Sequence, residues 1–167
     1  MLDQLLKMAD GPLRDLLANS NTPVGPGAAS TIEETLSSLL QEKVQSGDAQ
    51  AVKEMFSGQD TDPQSPVVNS LAGDLSNKLS EKLGIDSGQA MSLAMAALPM
   101  IMNFFNKRVN DAPQDNNDIM DSVVKSLQGG AGSGGMDILG SLLGGGKGKD
   151  GGMDLGGLMD IGKSLFK

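Results

Sequence analysis

Between Gly84 and Pro99 the chain carries a stretch that is apolar nearly all the way round. Asp86 supplies an N-cap, and Met91, Leu93, Ala94, Met95, Ala96, Ala97 and Leu98 follow. Such a helix lacks a polar face and needs cover on every side. Residues 88–98 are therefore expected to form the central core helix. Pro99 removes one N–H and is expected to kink or end it, with Met100, Ile101, Met102, Phe104 and Phe105 continuing beyond. This expectation requires the rest of the chain to supply amphipathic helices around 88–98.

It does so repeatedly. Ser65-Pro66 is an N-cap followed by proline at the first helical position, and Val68, Leu71, Leu75, Leu79 and Leu83 then run at spacings of three and four to Gly84. Upstream, Ser30 and Glu33 have the spacing of a capping box. Ile32, Leu36, Leu39, Leu40 and Val44 form the apolar face behind them, and Gly47 ends it. Asp48 caps a short helix with Val52, Met55 and Phe56. Leu2, Leu5, Leu6, Ala9, Leu13, Leu16 and Leu17 predict one kinked helix, or two, around a break at Gly11-Pro12. Ile119, Met120, Val123, Val124 and Leu127 predict a last helix stopped by Gly129. No segment alternates with a period of two between hairpin turns. The fold class is all-α, a small helical bundle over residues 1–128.

Residues 129–167 differ. They hold 15 of the 23 glycines, and four lysines balance four aspartates. The whole net charge of −8 therefore lies on 1–128. An internal repeat of seventeen residues aligns GGMDILGSLLGG (134–145) with GGMDLGGLMDIG (151–162). Glycine at this density opposes regular helix. The segment is expected to be a partly flexible, Gly/Leu/Met-rich tail bearing two short apolar patches.

Several chemistries are disfavoured. The chain has no His, Cys, Trp or Tyr, so it offers no imidazole base, thiolate, or Cys- or His-based metal site. Its carboxylates fall at caps and on solvated faces, and no GxSxG elbow is present. The expectation is no enzyme, no catalytic residue and no cofactor. Residues 79–98 have the rhythm of a helix-turn-helix, but the second helix offers Met, Leu and Ala rather than base-reading side chains, on an acidic body that repels phosphates. No nucleic-acid partner is expected. In 146–157, Asp150 and Asp154 align with a calcium loop whose other acidic positions are glycine, so no metal site is expected. The same segment lacks the order of a phosphate-binding loop. The methionines at 91, 95, 100 and 102 are read as core filling. The N-terminus MLDQLLKMAD has neither the basic nor the apolar region of a signal peptide. Absence of Cys fits a reducing compartment, and the expected location is cytoplasmic.

The segments KVQSGDAQAVKEMFSG (43–58) and NSLAGDLSNKLSEKLGIDSGQAMSLAMAALPMIMNFFNKRVND (69–111) resemble the bacterial YidB-like family, in particular its Bacteroidetes-type members. The most specific part is the KLGID turn before the apolar helix ending in LP. The resemblance covers most of 1–128. It implies a small helical bundle with no established activity, and it supplies no catalytic residue to carry over. Some relatives carry an intact Asp/Gly-rich loop near the C-terminus, whose acids this chain lacks.

The functional expectation is an uncharacterised, non-enzymatic protein that binds a protein partner or itself. Ile138, Leu139, Leu142, Leu143, Leu155, Leu158 and Met159 are the candidate interaction residues, because apolar patches in an uncharged tail have nothing local to bury against. The alternative is a peripheral membrane contact by the same patches, with Lys163 and Lys167 beside them. Docking of the tail on its own body is the third possibility.

Overall fold

The computed structural model describes residues 5–129 together with Gly140 and Leu142. Every regular element among them is helical. A 3-10 turn at Lys7–Ala9 leads into α1 (Asp10–Asn19). Then come α2 (Ala28–Gln45), α3 (Gln50–Met55), α4 (Pro66–Leu83), α5 (Ser87–Asp111) and α6 (Asn116–Leu127). The chain is an all-α protein.

The strongest packing is between α4 and α5, with α2 laid against α4 and α1 bridging α2 and α5. Their apolar stripes meet in one core. Val68, Leu71, Leu75 and Leu79 of α4 are buried, as are Ile32, Leu36, Leu39, Leu40 and Val44 of α2. Burying each such side chain is worth about 2 kcal/mol before conformational entropy opposes it. Phe56 and Phe105 meet in this core with ring centroids 5.4 Å apart. Helix ends follow local chemistry. Ser65 accepts the Val68 N–H ahead of Pro66, and Asp86 accepts the Gly88 N–H. Gly84 closes α4 at φ 63°, a conformation that glycine adopts at least cost.

Four local expectations need correction. Gly11-Pro12 does not break α1: Pro12 lies in its first turn, where an N–H has no intrahelical partner to lose. The irregularity comes earlier, at the 3-10 turn. The Ser30–Glu33 capping box does not form, because α2 begins at Ala28. Ala28 and Ala29 are buried good helix formers, and they carry the helix one turn further back. Asp48 stands one position before the helix-capping residue, yet its Oδ1 accepts the Gln50 N–H at 3.1 Å.

The fourth correction concerns the central helix. It runs unbroken through Pro99 for 25 residues. An interior proline costs about 3 kcal/mol, which burial of Ala97, Leu98, Ile101 and Met102 on both sides of it offsets. Nor is it covered all round. Met91, Ser92 and Ala96 are exposed and Met95 is half-buried, so its N-terminal half has an outward face. By length and composition α5 could cross a membrane, but half of its most apolar stretch is buried inside the bundle, as in the core helix of a folded domain.

Candidate functional site

Of the seven candidate interaction residues, only Leu142 belongs to the described residues. It is helical, 1 % exposed and part of the main core cluster. Its side chain is covered within its own chain, so it is withdrawn as an exposed anchor. Ile138, Leu139, Leu143, Leu155, Leu158 and Met159 lie outside the described residues, as do Asp150 and Asp154 of the calcium-like loop.

Two clefts stand out. The first lies between the C-terminal end of α1 and the N-terminal half of α5. It encloses about 600 Å³, and Leu16, Asn19, Asn21, Ser92, Leu93 and Ala96 are among its walls. Among the described residues no charged side chain lines it, although the chain carries a net charge of −8. Met91 lies beside Ser92 on the outward face and is 40 % exposed, the one large hydrophobic side chain this exposed among the described residues. Met95 follows one turn on and packs partly against the core. Methionine adapts its shape to varied apolar partners.

The second cleft lies between α2 and the N-terminal turn with α1. It measures about 360 Å³ and is lined by Lys7, Asp10, Arg14, Ser30, Glu33 and Glu34. Arg14 Nε pairs with Asp10 Oδ2 at 2.7 Å along α1. Glu33 is the unusual member. It is 5 % exposed, and its Oε1 has no hydrogen-bond partner. Burial pushes its carboxyl up from 4.5 to about 7; Asp10 and, less, Glu34 push the same way, while Lys7 and Arg14 oppose them. The sequence places Glu33 at a helix start, where it would be solvated. The missed signal is its place three and four residues from Leu36 and Ser37, which are both buried.

A polar network that the sequence reading missed pins the loop after α3. Asn103, Asn106 and Asn110 recur at helical spacing on α5. Asn103 Oδ1 accepts the Thr61 N–H at 2.7 Å. Asn106 Oδ1 accepts the Gly58 N–H at 2.9 Å and the Ser57 hydroxyl at 3.3 Å, and its Nδ2 donates to Thr61 Oγ1 at 3.1 Å. Asn110 donates to the Gly58 carbonyl, and Asn116 of α6 donates to Asn110 Oδ1 at 3.0 Å. Gly58 sits at φ 75°, and a Cβ there would collide with the amides of Asn110 and Asn116. These amides are occupied with one another and with backbone, so the network is structural. Its signal was legible as three asparagines on one face of an otherwise apolar helix.

Among the described residues no three His, Cys, Asp or Glu side chains gather to hold a metal ion. The fold thus defines a helical protein with a neutral apolar cleft, a separate acidic cleft and no assembled metal centre in its described part. A model of a family of bacterial proteins of unknown function, DUF937, matches residues 65–165, and the chain belongs to that family. The YidB-like resemblance pointed to the same family. The match begins at the Ser65 cap of α4 and extends through most of the glycine-rich segment. No curated protein and no solved structure matches the chain.

Proposed function

We propose that this protein is a non-enzymatic helical interaction module that self-associates, the α1–α5 cleft of one copy receiving the apolar residues Leu155, Leu158 and Met159 of another. The observation that carries this reading is the cleft between α1 and α5, whose walls among the described residues are uncharged. An occupant of such a cleft should be apolar and near neutral. The glycine-rich segment fits that description: its charges cancel, and its repeat presents leucine and methionine in short patches. Two bodies of charge −8 repel each other, whereas a body and a neutral segment do not. Burying the three side chains would contribute several kcal/mol, at about 2 kcal/mol each, against the entropy lost on association.

Light-scattering mass tests this, with detection by refractive index because the chain has no Trp or Tyr. The full chain is expected to exceed its 17.2 kDa monomer mass. Ala96→Asp in the cleft wall and Leu158→Asp/Met159→Asp in the repeat are each expected to return it to that mass. A monomeric parent protein, or variants whose mass equals the parent's, would overturn the reading.

A further inference from the structure

A carboxyl group withdrawn from water ordinarily meets a hydrogen-bond donor. Glu33 Oε1 meets none among the described residues, although the residue is nineteen-twentieths buried and helps to line an open cleft. Two cations line the same cleft without bonding to that oxygen. Arg14 is engaged by Asp10. Lys7, on the N-terminal turn, forms no ion pair among the described residues. Once Arg14 and Asp10 cancel, Lys7 faces Glu33 and Glu34 of α2, an excess of one negative charge when Glu33 is ionised. Among the described residues no group of three His, Cys, Asp or Glu side chains converges here, so their arrangement does not favour a bare metal ion over an organic one. A volume near 360 Å³ suits a small organic group.

We propose that this cleft binds an organic cation, a primary ammonium or a guanidinium, whose N–H groups donate to the Glu33 carboxylate. Such a ligand supplies the missing donors and a compensating charge together. A planar guanidinium does so in the bidentate geometry that carboxylates favour. The cation belongs either to a free small molecule or to the side chain of a protein-borne arginine or lysine. Both share this chemistry. Binding stabilises the ionised carboxylate, so it is linked to proton release. The ionised fraction of a carboxyl at about 7 is roughly 0.9 at pH 8 and 0.1 at pH 6, which makes apparent affinity about tenfold tighter at the higher pH.

The experiment is an amide NMR titration of the full chain with n-butylguanidinium, its neutral isostere n-butylurea, and the blocked peptide Gly-Gly-Arg-Gly-Gly. The expected result is saturable shifts at Lys7, Arg14 and Glu34 with the cation, about tenfold weaker at pH 6 than at pH 8, and absent with the urea. Glu33→Gln is expected to abolish them. Tighter binding of the peptide than of n-butylguanidinium identifies a protein-borne cation, and equal or weaker binding a free one. No saturable shift, an equal response to the urea, or an affinity that ignores pH would overturn the proposal. The pH arm stands even if the variant fails to fold. Self-association through the other cleft is read by mass, so the two ideas fail separately.

Discussion

Asn106 and Glu33 are both buried polar side chains on long helices, and they differ in one respect. Asn106, 2 % exposed, uses its oxygen twice and its nitrogen once. Glu33, 5 % exposed, leaves an oxygen unused. The first closes its network within the chain and fixes a loop. The second stores an unmet demand that only protonation or a ligand can relieve. Burial alone therefore does not single out a residue; burial without satisfaction is what calls for an explanation.

The largest expected effect tests the satisfied member. Asn106→Leu keeps the branched shape, with bulkier ends, but removes three hydrogen bonds, stranding the Gly58 N–H and the Thr61 hydroxyl. Leaving buried polar groups unpaired costs roughly 1–3 kcal/mol each, so destabilisation of about 4 kcal/mol is expected in urea unfolding followed by circular dichroism. A loss below 1 kcal/mol would show that water replaces the amide and would break the contrast with Glu33.

Glu33→Gln should act in the opposite direction and depend on pH. The folded-state carboxyl lies at about 7 and the reference value at 4.5. Between those values the native state holds the proton more tightly than the unfolded chain. Its contribution is fully present below about 4.5, falls as pH rises, and levels off above about 7. The shift corresponds to a loss of order 3 kcal/mol. Glutamine cannot ionise, so the variant is expected to gain on the parent by about 2–3 kcal/mol between pH 4.5 and pH 8. Parallel stability curves would show that Glu33 is solvated in the native state.

The sequence displayed the apolar half of this fold and little of its polar half. Helices α2, α4 and α6 were readable because Leu36, Leu75, Val123 and their neighbours repeat at the helical period, and because Ser65-Pro66, Gly84 and Gly129 punctuate them. The course of α5 was misread at two points. Proline weighs against a helix interior locally, but packing of the flanking residues outweighs it. Full apolarity implied full cover, yet among the described residues Met91 stays 40 % exposed. The sites were harder still. Asn106 bonds to residues 45 or more positions away, and Glu33 acquires its character from burial in the fold, reinforced by Asp10 on another helix. Helical periodicity carries no information about such meetings.

The smallest effect separates satisfaction from burial. Lys43 Nζ meets Asp74 Oδ2 at 2.7 Å, tying α2 to α4, with the side chains 19 % and 46 % exposed. This pair is as well partnered as Asn106, but Asp74 faces water. Solvent screens the attraction, and a freed Asp74 rehydrates, so little depends on the contact. Lys43→Ala is expected to cost about 0.5 kcal/mol, less at 1 M salt than at 0.05 M, in the same unfolding assay. A loss above 2 kcal/mol that persists in salt would mean that Lys43 acts through its half-buried aliphatic stem. Lys43→Met, which keeps most of that stem without the charge, would then restore the stability. Partnership would in that case have mattered less than packing, and Asn106→Leu would need the same control before its loss could be assigned to hydrogen bonds.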